Sequence, residues 1–216
     1  TEDGDTVPTG YLVADDVQVA VRYAQSSNIT FVNEEQTGSI QISKSTVDMR
    51  NIEGITFILS GTSDNGKEIN LNATTDENGI ATFENILVGT YTITESQSTV
   101  PVGYLVADAQ EVTVSYAETS NVEFLNEEQT GSIQIQKRTE DMTNIKGISF
   151  ILSGTSDNGK EISLTAITDE NGKATFENIL VGTYTITEDK STVPTGYLVA
   201  KEQEVTVSYA ETSNAE

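Results

Sequence analysis

The segment Gly38-Ser-Ile-Gln-Ile returns 93 residues later as Gly131-Ser-Ile-Gln-Ile, and the two copies then run in parallel to the end of the chain. Where they overlap they are roughly four-fifths identical. A third, partial copy stands first, since Thr1 to Thr37 matches Thr94 to Thr130. Solenoid repeats have periods of roughly 20 to 50 residues and stack on their neighbours, so a period this long marks whole domains in tandem. The expected plan is residues 1–37 as the C-terminal strands of a preceding repeat, 38–130 as a complete domain, and 131–216 as a domain lacking the end of its last strand.

Inside the complete repeat, apolar and polar residues alternate in short runs rich in Val, Ile, Thr and Tyr, which predicts strands with one buried face. Strand one carries Ile40 and Ile42, and strand two carries Ile55, Phe57 and Leu59. Strand three carries Ile69, Leu71 and Ala73, followed by a run through Ala81 and Phe83. Beyond these come the stretches 90–95, 101–104, 111–116 and 121–126. Asn65-Gly66 and Asn78-Gly79 read as hairpin turns, because glycine takes up positive φ at little cost. No helical period is present. The fold class is therefore all-β, with tandem Ig-like sandwiches of about seven strands.

The chain has no Cys, no His and no Trp, and its formal net charge is -23. That charge opposes binding to nucleic acid and to anionic membrane surfaces. Without Cys there is neither a disulfide frame nor a thiolate zinc site, and without His the commonest general base is missing. No cofactor and no resident metal are expected. No signal peptide, bilayer-length apolar run or sorting tail is read in the sequence, so it is expected to be the interior of a longer chain.

Several core-facing registers end on polar residues. Ile40, Ile42 and Lys44 share one face of their strand; Tyr91, Ile93 and Glu95 share another; Val122, Phe124 and Asn126 share a third. Singly, each has an ordinary explanation: a lysine that snorkels, a solvated glutamate, an asparagine that opens a turn. The same registers recur in the next repeat as Lys137 and Glu188. The coincidence predicts one buried polar site per domain.

The run Asn78-Gly79-Ile80-Ala81-Thr82-Phe83, then Leu87 to Glu95, then Pro101-Val102-Gly103-Tyr104, resembles the signature of Cna protein B-type domains of Gram-positive surface proteins, also called SpaA-like or prealbumin-like. The second repeat carries it as Asn171 to Phe176, Leu180 to Glu188, and Pro194-Thr195-Gly196-Tyr197. The resemblance implies a spontaneous isopeptide bond between a lysine of the first strand and an asparagine of the last, assisted by an acid on a middle strand. By position these are Lys44, Asn126 and Glu95. Burial favours the neutral forms of both amine and acid, so Lys44 can pass its proton to Glu95 and attack the Asn126 carbonyl. The bond forms once per domain and is maturation, not turnover, so the protein is not read as an enzyme.

The second repeat has Lys137 and Glu188, but Asn214 matches Asn121 on the outward register. Thr1 to Thr37 of one molecule, whose strand 28–33 has Ile29, Phe31 and Asn33 inward, is expected to complete residues 131–216 of another head to tail, bringing Asn33 to Lys137 and Glu188; the alternative is that both ends are frayed boundaries within a longer repeat array. The functional expectation is a stiff stalk repeat of an extracellular, cell-wall-attached adhesin or pilus-like protein, with neighbouring repeats as its partners.

Four alternative readings are open to the same sequence. A ligand-binding adhesin module is disfavoured by short loops and near-identical repeats. A calcium module built on Asp64, Asp76 and Asp157 is disfavoured because turn chemistry already explains those residues. A carboxylate-pair hydrolase has only one inward carboxylate per unit to work with. A sortase-joined pilin would carry a Tyr-Pro-Lys motif, and none is present.

Overall fold

The computed structural model describes residues 1–50, 52–140, 143 and 145–216. It divides into two units. Unit 1 gathers Thr1–Val100 and Val106–Asn126, and unit 2 gathers Pro101–Leu105 and Glu127–Glu216.

In unit 1 the strands are β1 (Thr37–Thr46), β2 (Thr56–Ser63), β3 (Glu68–Thr74), β4 (Ile80–Leu87), β5 (Gly89–Glu95), β6 (Gln110–Val114) and β7 (Thr119–Asn126). They form a three-stranded sheet in the order β4-β1-β7 and a four-stranded sheet in the order β3-β2-β5-β6. First and last strands lie side by side and parallel, with Lys44 opposite Phe124 and Thr46 opposite Asn126. The other pairings in the unit are antiparallel. Of the expected inward residues, Ile40, Ile42, Phe57, Leu59, Tyr91, Ile93, Val122 and Phe124 form one buried cluster between the sheets, Ile69 and Ala73 of the edge strand β3 pack against it partly buried, and Leu71 of β3 is exposed. The fold is thus an all-β sandwich, as the alternation required.

Unit 2 repeats the plan with β8 (Thr130–Gln136), β9 (Ser149–Thr155), β10 (Glu161–Ile167), β11 (Lys173–Leu180), β12 (Gly182–Glu188), β13 (Gln203–Val207) and β14 (Thr212–Ala215). Its sheets are β11-β8-β14 and β10-β9-β12-β13.

The two Asn-Gly turns differ from each other. Asn65-Gly66 joins β2 to β3, which pair as a hairpin. Asn78-Gly79 joins β3 to β4, and these strands belong to different sheets. The second turn is a crossover, closed by Asp76 Oδ1 accepting from the backbone N–H groups of Asn78 and Ile80 at 2.9 Å each. Gly79 (φ +76) is required there for a second reason: a Cβ would lie 2.5 Å from the Lys44 carbonyl oxygen. Local sequence cannot tell the two turns apart, because sheet membership is set by packing.

Segment 28–33, expected to be a last strand, is not laddered in this structure. Ile29 and Phe31 are exposed. A strand on the β7 pattern acquires its ladder from a first strand beside it, and β1 already carries β4 and β7.

Candidate functional site

Each polar group of the unit 1 site is delivered by the alternation of its own strand. On β1, Lys44 follows Ile40 and Ile42 inward and is 3 % exposed. Glu95 ends β5 opposite Phe57 of β2. Asn126 ends β7 and is 0 % exposed. Lys44 Nζ stands 3.8 Å from Glu95 Oε1, with both side chains fully enclosed. Asn126 Nδ2 donates to Glu95 Oε2 at 2.6 Å. The rings of Phe57 and Phe124, with centroids 4.7 Å apart, form the apolar neighbours of the site. Desolvation pulls the Lys44 amine below its ordinary value of 10.5, against the opposing pull of the Glu95 charge. A lysine in that setting reaches the neutral, nucleophilic form more readily than one in water.

Two backbone groups complete the site, and no side-chain pattern announces them. The Ala107 N–H donates to Glu95 Oε2 at 2.8 Å, so this oxygen is pinned by two donors while Oε1 is left toward Lys44. Lys44 Nζ donates to the Ser45 carbonyl at 2.5 Å. The amide nitrogen of Asn126, and not its carbonyl oxygen, is the atom that faces the carboxylate.

In unit 2, Lys137 Nζ is 2.7 Å from Glu188 Oε1, and its side chain is 14 % exposed. The Ala200 N–H donates to Glu188 Oε2 at 2.6 Å, repeating the Ala107 contact. Asn214 is exposed on β14, the outward register expected for it, and Ala215 is buried in the place of Val122. Beside Lys137 and Glu188 lies a groove of about 260 Å³ lined by Ile135, Phe150, Ile186 and Ala215.

Within its own chain, Asn33 also meets a carboxylate. Its Nδ2 donates to Glu2 Oε2 at 2.6 Å and to the Leu12 carbonyl at 2.8 Å, and the Ala14 N–H donates to the same Glu2 oxygen at 2.7 Å. Glu2 therefore accepts from Asn33 and Ala14 as Glu95 accepts from Asn126 and Ala107. It was missed as a site residue although the match of Thr1 to Thr94 places it there by counting. Of the turn aspartates weighed as calcium ligands, Asp76 spends Oδ1 on its own turn. Among the described residues no three His, Cys, Asp or Glu side chains gather around a common point.

The family model of SpaA, a prealbumin-like fold domain, matches residues 38–128 and 131–216, and the chain belongs to that family. Among solved structures it is similar to the Bacillus anthracis TIE protein, with 28% identity and a TM-score of 0.69 over 88% of this chain. The match spans 35% of that protein's length. It is also similar to GBS52, the minor pilin of Streptococcus agalactiae, with 16% identity and a TM-score of 0.36 over 83% of this chain and 94% of that one. For BcpA, the major pilin subunit of Bacillus cereus, the figures are 14%, 0.35, 83% and 98%. A comparison with curated protein sequences finds no match. Among the described residues no helix is long and apolar enough to cross a membrane.

Proposed function

We propose that the chain is a stalk segment of a Gram-positive cell-surface adhesin or pilus-like protein, held off the cell wall by repeats that each lock themselves with a Lys–Asn isopeptide bond. The observation that carries this reading is the enclosed Lys44–Glu95–Asn126 group on the first, middle and last strands of one sandwich. Glu95 takes a proton from the Lys44 ammonium. The neutral amine attacks Cγ of Asn126, a C–N bond forms, and the bond from Cγ to Nδ2 breaks as Glu95 returns the proton to the departing nitrogen. Lysine ammonium and carboxamide become an amide and an ammonium ion, with Glu95 regenerated. The fold holds both groups in place, which replaces the entropy cost of an encounter.

The crosslink closes a loop of roughly 80 residues and, on the loop-entropy account, stabilises the unit by about 4 kcal/mol. Tension entering through β1 passes across the new amide to β7 and bypasses the strands between, without needing an oxidising compartment. Intact mass spectrometry tests the reading. The purified chain should be lighter than its sequence by one ammonia, and Glu95→Ala should restore full mass with the fold retained; a full-mass parent chain overturns it.

A second reading concerns Lys137. The groove beside it lies where Phe124 and Asn126 stand in unit 1, while Ala215 holds the Val122 position, so an incoming strand of the pattern apolar-x-Phe-x-Asn has to displace β14 from β8. Residues 29–33 of a second copy carry that pattern, with Ile29 and Phe31 exposed. Head-to-tail joining through Asn33 and Lys137, with Glu188 assisting, requires Asn33 to exchange Glu2 for Glu188. Denaturing electrophoresis of concentrated protein tests it: a ladder abolished by Asn33→Ala supports the joining, and a single monomer band overturns it.

A further inference from the structure

A sheet edge offers unpaired backbone groups to any strand that can reach it, so proteins usually bend, shorten, charge or cover their edges. The outer strands of unit 1 are β4 and β7 in one sheet and β3 and β6 in the other. The edge at β4 is bent: its register with β1 shifts between Phe83 and Ile86, where Asn85 takes φ +55 beside the exposed Glu84. The edges at β6 and β7 close on each other. Gln110 Nε2 donates to the Glu123 carbonyl at 2.7 Å, and Ser120 Oγ donates to the Thr113 carbonyl at 2.6 Å.

Among the described residues β3 carries no such protection. It pairs with β2 alone, and Glu68-Ile-Asn-Leu-Asn-Ala-Thr74 holds no lysine, no proline and a single charge, at its first position. Leu71 stands opposite the fully buried Leu59 on the core-facing register, yet it is 44 % exposed. Unit 2 repeats the contrast. The β11 edge shifts register at Asn178 (φ +55), and Ser213 Oγ donates to the Thr206 carbonyl. On β10, which pairs with β9 alone, Leu164 stands opposite the buried Leu152 and is 43 % exposed.

The open strands are also self-complementary. Laid antiparallel on its own copy about Leu71, β3 sets Ile69 against Ala73, Asn70 against Asn72 and Glu68 against Thr74, so no like charges meet. About Leu164, β10 sets Ile162 against Ala166, Ser163 against Thr165 and Glu161 against Ile167. Polar residues thus fall opposite polar ones on the outward face, where they can hydrogen-bond, and apolar ones meet on the core side.

We propose that β3 and β10 are pairing edges whose partner is the same strand of a second copy of this chain, joined antiparallel about a two-fold axis at Leu71 or at Leu164. The contact is isologous and continues one four-stranded sheet into another. Each leucine covers its mate, and the open backbone groups find partners. A seven-residue edge is a small interface, so the pairing is weak and reversible. The formal charge of -23 opposes the approach of two copies, so salt strengthens it. The pairing goes beyond the crosslink reading and is independent of it, because Lys44, Glu95 and Asn126 take no part.

Sedimentation velocity of the full chain should show reversible association that grows with concentration and with ionic strength. Leu71→Lys combined with Leu164→Lys should lower the association constant about tenfold or more, since buried like charges then face each other across both axes. Tyr116→Lys combined with Tyr209→Lys changes the net charge equally at exposed turn residues and should leave association as in the parent. Cysteine is absent from the chain, so Leu71→Cys reports the register directly. It should oxidise to a disulfide-linked dimer about tenfold or more faster than Tyr116→Cys, because pairing raises the effective concentration of one position 71 beside the other. Intact mass of each variant reports the crosslink separately. A chain monomeric at every concentration and salt, association that the Leu→Lys pair leaves unaltered, or equal oxidation of the two cysteine variants overturns the pairing.

Discussion

The two units hold the same lysine and the same glutamate in different states. Lys44 is enclosed and 3.8 Å from its carboxylate, whereas Lys137 is partly open to water and 2.7 Å from its own. The strands that carry these pairs are nearly the same, and the difference lies in what covers them. In unit 1 Phe124 and Asn126 fill the space over the lysine; in unit 2 that space is a groove of about 260 Å³. Desolvation lowers the Lys44 amine, because an ammonium shut away from water is disfavoured. On the crosslink proposal, the inward series of the last strand, more than the lysine or the acid, would then decide whether the lysine reacts.

The largest test of that contrast is removal of the crosslink. Lys44→Ala or Asn126→Ala should restore the full mass of the chain and cost unit 1 about 4 kcal/mol in denaturant unfolding. Pulled by its ends, such a variant should release about 280 Å more chain than the parent, in which the roughly 80 residues between Lys44 and Asn126 stay bridged. Equal extension in both would mean that force does not pass through the bond.

Of similar size but opposite sign, appending Phe-Leu-Asn after Glu216 should make unit 2 behave as unit 1 does. A second ammonia should be lost, and Lys137→Ala should prevent that loss alone. Smaller is the effect of opening unit 1: Phe124→Ala should cost about 3 kcal/mol and slow crosslinking in a time course of intact mass, because water then reaches Lys44. An unchanged rate would move the cause of reactivity elsewhere.

In the Asn126→Ala chain Lys44 remains an amine, and its lowered value has a further consequence. Between that value and 10.5 the unfolded chain binds a proton that the folded chain does not, so stability should rise with pH through the window by up to about 1.4 kcal/mol per pH unit. Urea midpoints at neutral and alkaline pH measure the slope; a fall in stability contradicts the assignment. Least of all, Tyr184→Phe should lower stability by about 1 kcal/mol by removing the bond from its hydroxyl to the Leu180 carbonyl, 2.8 Å in length. Tyr91→Phe, whose hydroxyl meets the Leu87 carbonyl at the same distance, should act alike in a crosslink-free chain.

Much of this was legible in the sequence. Strand alternation is a local property with a period of two, so Ile40, Ile42 and Lys44 are committed to one face before any partner is known. A repeat of 93 residues converts a single odd lysine into a rule, because an accidental inward charge is not expected to recur at the same register. Asn65-Gly66 and Asn78-Gly79 look alike on paper, and only packing made one a hairpin and the other a crossover. The parallel pairing of β1 with β7, which sets Asn126 opposite Thr46 and not Lys44, is likewise a long-range choice. So are the Ala107 and Ala200 amides that pin the acids, since every residue has such a group and nothing in its side chain says where the group will point. The sequence determined which residues face inward, because that depends on neighbours two positions away. The tertiary structure decided which of them meet, because that depends on how strands distant in the chain are ordered in a sheet.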